Sequence, residues 1–384
     1  MADYFDVDAL LSEEERLIRD TVRRFVDREV IPHVGGWWLR GEFPRHLIAP
    51  IAGMGLLGAT LPTEYGCASV SNVAYGLILQ ELERGDSGVR SFASVQGSLV
   101  MYPIYAFGTE EQRRRWLPRL ATGELIGCFG LTEPTAGSDP GAMQTRAHKV
   151  RGGWELSGTK MWITNGSLAH LAVIWAKDDE GEIRGFAVET DRPGFSAHEI
   201  KTKSSLRASD TSELVLEGVP VTEDALLPEA VGLRAPLMCL TQARYGISWG
   251  AVGAATACLE EALSYAQQRV AFGKPIAEKQ LIQERLVDML GELVKAQLLA
   301  YRLGQLKDAG RLRYTHVSLA KRNNVRAALT IARQARSILG AYGITLEYHA
   351  IRHANNLESV DTYEGTYDIH TLILGRDITG LDAF

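Results

Sequence analysis

The spacing of apolar positions changes twice along the chain. Ser12 and Glu15 are spaced as a capping box, and Leu17, Ile18, Val22, Phe25, Val26 and Val30 follow at helical intervals up to Pro32. This predicts an amphipathic first helix with those residues on its apolar face. Further helical segments are expected over 78–83 and 110–120. Near Gly123 the period shortens. Segments 154–157, 160–164, 171–175, 185–188, 195–200 and 213–219 read as short strands divided by Gly, Asp and Pro. Asp178-Asp179-Glu180-Gly181 is the expected turn of a hairpin. From about Ala235 long amphipathic stretches return, over 241–268, 279–307 and 314–339. Helices, then strands, then helices predict an α+β fold. Its parts are a helical N-terminal domain (1–123), a small antiparallel β middle domain (124–234) and a C-terminal helical bundle (235–384). A doubly wound parallel sheet would alternate strand and helix instead.

Composition narrows the function. The chain has 384 residues, of which 46% are hydrophobic and 23% charged. That is globular composition with enough apolar material for two or three cores, so disorder is excluded. A net charge of −6 offers no general attraction to nucleic acid or anionic lipid. Cys67, Cys128, Cys239 and Cys258 form no C-x-x-C pair, which argues against a zinc ribbon or a thioredoxin-like site and for reduced, buried thiols. The acidic, polar start over 1–8 lacks the pattern of a targeting segment, and Gly and Pro interrupt the uncharged stretches, so no membrane span is expected. A bacterial cytoplasm is the expected compartment.

Several motif matches fail on context. Gly53-Met54-Gly55-Leu56-Leu57-Gly58 fits G-x-G-x-x-G, but a helix-like segment precedes it where a dinucleotide site needs a strand. It reads as a helix end entering a loop. Ser157–Lys160 and Ser318–Lys321 fit S-x-x-K without the companion motifs of serine β-lactamases. His349 and His353 are four apart, but there is no third ligand and no H-E-x-x-H glutamate, so no metal is expected.

Three segments retain chemical interest. Residues 130–139 (GLTEPTAGSD) combine hydroxyls, Gly and free N–H groups, as a loop following a polar ring or a phosphate would; a plain polar turn has the same composition. In 160–165 (KMWITN), Trp162 and Thr164 share one strand face, where core packing is the ordinary role for a tryptophan. In 362–370 (TYEGTYDIH), Glu364 beside Gly365 either points into a cavity as a base or caps a helix.

Together these segments change the picture. From about Val7 to Phe384 the sequence resembles the acyl-CoA dehydrogenases. The likeness rests on Leu131-Thr132-Glu133-Pro134 with Gly137-Ser138-Asp139, Trp162-Ile163-Thr164-Asn165, Arg269-Val270-Ala271-Phe272-Gly273 and Tyr363-Glu364-Gly365-Thr366, in that order. Within the family, the glutaryl-CoA-oxidising branch is most similar. The matching runs are 80–84 (QELER) with 86–91 (DSGVRS), 94–96 (SVQ), 205–209 (SLRAS), 321–324 (KRNN) and 351–354 (IRHA).

The resemblance implies a β middle domain between a helical N-terminal domain and a C-terminal four-helix bundle, with FAD bound outside any Rossmann fold. It implies that Phe129, Leu131, Thr132 and Gly137 border the flavin and that Ser138 reaches FAD or the CoA arm. Trp162 and Thr164 would flank the isoalloxazine, with Thr366 and Asp368 nearby. Arg269, Phe272 and Gln280 would hold the ADP half of a neighbouring subunit's FAD, which implies a homo-oligomer, a tetramer built as a dimer of dimers. Arg244 would lie near the CoA arm. Electron-transfer flavoprotein is the implied electron acceptor.

Glu364 matches the family's base. A thioester α-proton is weakly acidic, and a carboxylate held over Cα in a water-excluding site gains basicity from desolvation. The Glu364 N–H and a flavin ribose hydroxyl would polarise the thioester carbonyl. Arg90 would bind the distal carboxylate of glutaryl-CoA, aided by Ser91 and Ser94, because a planar fork suits a carboxylate. Its alternatives are a structural arginine paired with Glu83 or Asp86, or a surface arginine. Glu83 and Tyr363 match the decarboxylating type, with crotonyl-CoA as product. Two positions depart from the pattern: Gly340-Ala341-Tyr342-Gly343 stands in place of G-G-N-G, and Val89 in place of an aromatic residue. The competing readings are a non-decarboxylating or other short-chain acyl-CoA dehydrogenase, and a non-catalytic flavoprotein module of the same fold.

Overall fold

Ser12 Oγ accepts the Glu15 N–H (3.2 Å), and Glu15 reaches back to the Ser12 N–H (2.8 Å). This capping box starts α1 (Glu13–Phe25), the first helix of a computed structural model that describes residues 3–382. Val22 and Phe25 are buried, but Leu17 is exposed. One step along a helix turns about 100°, which carries Leu17 off the stripe formed by Ile18, Val22 and Phe25. The N-terminal layer continues with α2 (Val34–Arg40), α3 (Ile48–Gly53), α4 (Asn72–Gly85), α5 (Ser87–Ser94), α6 (Tyr102–Phe107) and α7 (Glu110–Ala121). Gly53 ends α3, and Gly55 and Gly58 sit at positive φ in the turns that follow, so the G-x-G-x-x-G match is a helix end.

The middle layer is one sheet of β1 (Gly127–Gly130), β2 (Arg146–Val150), β3 (Gly153–Thr164), β4 (Leu171–Lys177), β5 (Ile183–Glu189), β6 (Phe195–Glu199), β7 (Thr211–Thr222) and β8 (Leu226–Val231). Its order is β6-β7-β3-β2-β4-β5-β8, with β1 against β4. The expected hairpin is β4–β5, paired from Leu171↔Glu189 to Lys177↔Ile183. Asp178 closes its turn by accepting the Glu180 and Glu182 N–H groups. The sheet is not wholly antiparallel, which corrects the expectation. β1 runs parallel to β4, and β2 meets β4 in parallel at Arg146↔Lys177. The long excursion through β2 and β3 gives the crossover length that a parallel pair requires.

The last layer comprises α8 (Arg234–Gln268), a short hairpin of β9 (Val270–Ala271) and β10 (Lys274–Pro275), α9 (Gln280–Asp308), α10 (Tyr314–Ile338), α11 (Ala350–Thr362) and α12 (Tyr367–Thr379). Helices α8 to α11 pack on one another, and α12 lies on α10. Helix α8 also packs on α4, joining the two helical layers around one core that includes Val26, Leu79, Trp249, Leu293 and Ala328. That crossing is lined by glycine. A Cβ at Gly253 would come within 1.9 Å of the Gln80 carbonyl oxygen, and one at Gly250 within 2.0 Å of Glu83 Oε2.

Candidate active site

A corner between α4 and α5 builds the first part of the site. Asp86 is extended (φ −164°) and caps α5 by accepting the Gly88 N–H at 2.7 Å. The corner sets Glu83, near the end of α4, against Arg90 in α5. Arg90 Nε donates to Glu83 Oε2 at 2.5 Å, and Ser87 Oγ donates to Glu83 Oε1 at 2.8 Å. Arg90 is 1% exposed and Glu83 0%. Burial opposes the guanidinium charge, but the Glu83 carboxylate keeps it firmly protonated. Another arm of Arg90 donates to the Tyr363 hydroxyl, and the guanidinium lies 5.7 Å from that ring's centroid. Arg90 is therefore no surface arginine, and of its two suggested partners it takes Glu83. Asp86 pairs with Arg352 instead (2.5 Å). Ser91 Oγ, near Tyr363, and Ser94 Oγ, near Tyr75, are enclosed without a partner of hydrogen-bond geometry. The helix then widens into a π-turn over Val95–Met101, a feature frequent at functional sites.

The segment after α11 brings the carboxylate. Glu364 adopts φ +52° and Gly365 φ +90°, so two successive residues lie in the left-handed half of the map. Glu364 Oε2 is enclosed and has no hydrogen-bond partner. Burial raises its pKa above the usual carboxylate range, opposed by Arg90, Lys321 and Arg244. The carbonyls beside it are held. Arg244 Nε donates to the Glu364 carbonyl at 2.7 Å, and Lys321 Nζ donates to the carbonyls of Tyr363 (2.5 Å) and Gly365. Glu364 does not cap α12. Thr366 does, its Oγ1 accepting the Ile369 N–H at 3.1 Å. Asp368 is exposed in the first turn of α12. His370 is fully buried against Gly365, and burial pushes its pKa down to about 2, so the ring stays neutral.

A second group lines the seam of β1, the loop over 131–139, and β3. Glu133 is 4% exposed and meets the fully buried Lys160 at 2.8 Å. It also accepts the Gln144 and Thr145 N–H groups, at 2.6 and 2.9 Å. Lys160 Nζ donates to the Leu131 carbonyl as well, and the Met161 N–H to that of Thr132 (2.9 Å). The loop is thereby stitched to β3. Lys160 and Ile163 both point inward although three apart, and the pairing with β7 slips between them. The extra residue is absorbed with Trp162 at φ +64°, which turns its ring outward, 59% exposed. Core packing for Trp162 is thus ruled out. Thr164 is half-buried on the same side, Phe129 and Leu131 are buried beside the seam, and Gly137 and Ser138 are exposed.

A third group stands apart on the β9–β10 hairpin. Ala271↔Lys274 pairing leaves a two-residue turn, Phe272-Gly273, with both φ positive, as a type I′ turn requires. It holds the Phe272 ring 96% exposed, with Arg269 and Gln280 also exposed nearby. None of the three hydrogen-bonds to the Arg90–Glu364 group among the described residues. Tyr342, at the position departing from the family pattern, packs instead among Tyr265 and Tyr348.

Of the residues singled out from the sequence, Glu83, Arg90, Ser91, Ser94, Tyr363 and Glu364 thus lie close together, with Arg244 on the Glu364 carbonyl. Sequence reasoning gave no role to Lys321 or His370, nor to the Glu133–Lys160 pair. Lys321 did carry a signal. It falls one helical turn from both Val317 and Val325, so it is a cation on an apolar stripe.

No group of three or more metal-ligating side chains and no helix able to cross a membrane occurs among the described residues. Family models describe three consecutive parts of the chain: the acyl-CoA dehydrogenase N-terminal domain over 12–124, the middle domain over 128–219 and the C-terminal domain over 230–379. The human mitochondrial short-chain specific acyl-CoA dehydrogenase is 35% identical over 369 residues, 95% of this chain and 90% of that protein. The crystal structure of glutaryl-CoA dehydrogenase from Mycobacterium smegmatis is similar with a TM-score of 0.96 at 59% identity, covering 98% of this chain and 97% of that one. A glutaryl-CoA dehydrogenase of the same organism in complex with FADH2 gives 0.97 at 55% identity, covering 99% and 98%. With all three domain models matched in order around this geometry, the chain belongs to the acyl-CoA dehydrogenase family.

Proposed function

We propose that the chain is an FAD-dependent glutaryl-CoA dehydrogenase that oxidises glutaryl-CoA at Cα–Cβ and then releases CO2, leaving crotonyl-CoA. The observation carrying the substrate is Arg90. A fatty-acyl site would end in apolar surface, whereas here a buried guanidinium lies beside the enclosed hydroxyls of Ser91 and Ser94. The similarity to two glutaryl-CoA dehydrogenases above 50% identity supports it. The flavin fits the seam between loop and β3. An exposed tryptophan at a strand bulge, next to Thr132, Thr164 and an open Gly137, presents a plane and hydroxyls that suit a ring with polar edges.

Bound FAD supplies the acceptor for the hydride from Cβ. Arg90 fixes the far carboxylate and so sets where Cα lies. Glu364 takes the α-proton, its basicity raised by burial. In the resulting unsaturated thioester the carboxylate sits on Cγ beside the new double bond, so it is vinylogous to a β-keto acid and its loss is assisted by the thioester carbonyl. The bond to CO2 breaks, its electron pair moves into a dienolate, and protonated Glu364 returns its proton at Cγ. In the same reading, electrons pass to electron-transfer flavoprotein in a bacterial cytoplasm. The protein acts as a homotetramer in which Arg269, Phe272 and Gln280 serve a neighbour's FAD.

The test is anaerobic mixing with a panel of acyl-CoAs while flavin absorbance is followed. Glutaryl-CoA should bleach fastest, with a four-carbon enoyl product by mass. A preference for butyryl-CoA overturns the substrate assignment, and a five-carbon product overturns decarboxylation. Glu364→Gln should retain FAD and lose bleaching by about a hundredfold or more.

A further inference from the structure

Three successive peptide carbonyls, those of Tyr363, Glu364 and Gly365, are each bound by a basic side chain, that of Lys321 buried and that of Arg244 half-buried. Lys321 holds the first and third, and Arg244 the second. Lys321 is 1% exposed, on a helix separate in sequence from the loop it grips. From this arrangement we infer that Lys321 is a positioning residue for the base, fixing both the Glu364 carboxylate and the Glu364 N–H in the geometry that deprotonation requires. The inference rests on the proposed acyl-CoA oxidation.

A trans peptide is planar, and its C=O and N–H point in opposite directions. Anchoring the Tyr363 carbonyl on Lys321 therefore directs the Glu364 N–H the other way. The bond also polarises that amide, which strengthens the N–H as a donor to a thioester oxygen. Arg244 anchors the Glu364 carbonyl on the other side of the same residue, and the Lys321 bond to the Gly365 carbonyl holds the peptide after that. Glu364 pays a conformational penalty at φ +52°, and the grip on both flanking carbonyls is what holds it there.

The Lys321 charge also acts on the carboxylate. Facing Glu364 are Arg90 from α5, Arg244 from α8, Lys321 from α10, Tyr75 from α4 with Glu83 behind Arg90, and neutral His370 from α12. Tyr363 and Asp361 lie on its own segment. Burial pushes Lys321 down to about 7, with Glu364 and Asp361 supporting its charge and Arg244 and Arg90 opposing it. Its positive charge lowers the Glu364 pKa, so removing it moves the acid limb of activity upward.

Wild type, Lys321→Met and Lys321→Arg, each with bound FAD, are mixed anaerobically with glutaryl-CoA over a pH series. We expect Lys321→Met to keep FAD and half-saturation but to bleach about tenfold more slowly or worse. Its acid limb should rise by about one pH unit. Lys321→Arg should recover most of the rate. Should Lys321→Met not fold, Lys321→Gln replaces it, keeping a donor without the charge, and the same rise in the limb is expected. Wild-type rate and limb in the uncharged variant overturn the inference. So does a loss that tracks FAD content with an unmoved limb. Failure of the wild type to bleach with any acyl-CoA overturns the proposed function and this inference with it.

Discussion

Two buried arginine–carboxylate pairs lie on either side of the α4–α5 corner, and they differ in what surrounds them. Arg352 and Asp86 are 1% and 0% exposed and 2.5 Å apart; Arg90 and Glu83 have the same exposures and the same separation. Around the first pair the carboxylate is fully engaged, and only His353 Nδ1, on the ring that meets Arg352, lacks a partner among the described residues. Asp86 also accepts from Gly88 and Asn356, and Asn356 accepts from Trp38 and the Leu206 N–H. That network draws the N-terminal helices, a loop before β7, and α11 into one junction. Around the second pair the hydrogen bonds do not close, because Ser91 and Ser94 keep enclosed hydroxyls without partners. Buried polar groups normally find partners, so unclosed bonding beside a held charge marks a place built for something else. On the proposed function, identical pair chemistry serves structure in one case and recognition in the other.

The comparison can be broken by substitution. The largest effect is expected from Asp86→Ala, which leaves Arg352 buried and unpaired. A loss of about 3–5 kcal/mol in unfolding free energy should follow, with the preference for glutaryl-CoA over butyryl-CoA unchanged in the folded protein. Altered selectivity would show that the two pairs are not separable. Arg90→Met should weaken glutaryl-CoA relative to butyryl-CoA by about 2–5 kcal/mol in kcat/KM, and an equal loss on both would make Arg90 structural. Gly250→Ala pushes a methyl into Glu83, so a loss of about 1–3 kcal/mol in stability is expected together with weaker glutaryl-CoA binding. A protein as stable as wild type would show that α8 relaxes. The smallest effect is a displacement in pH. Glu364 must be ionised to accept a proton and its pKa is raised, so bleaching should fall on acidification at a pH above the ordinary carboxylate value of about 4.3. A fall only below that value would contradict the enclosed position of Oε2.

The long helices were legible because each carries many repeats of one apolar stripe. Segment 279–307 became α9 at Gln280–Asp308, and 314–339 became α10 at Tyr314–Ile338. The parallel β1–β4 pair was not, because pairing between distant strands leaves no local period. Trp162 shows a sharper limit. Alternation assumes two residues per repeat, and one extra residue between Lys160 and Ile163 breaks it, so Trp162 faces out where strict alternation from the buried Lys160 would turn it in. Glu364 and Arg90, the base and the carboxylate anchor of the proposed function, stood out only through motifs shared with a family. Lys321 acts on backbone carbonyls, and main-chain acceptors have no letter in a sequence.

The glycines of α8 have a consequence for how this pocket changes over generations. Gly246 meets Leu79, Gly250 meets Glu83 and Gly253 meets the Gln80 backbone, each too close for a Cβ. At Gly253 main chain rests on main chain, with no side chain between the helices to trim or enlarge, so small mutational steps there cannot draw the two helices together. On the proposed function, accepting a longer or less polar acyl group then calls for replacing Arg90 or Glu83 themselves, a single large step rather than a gradual respacing of helices.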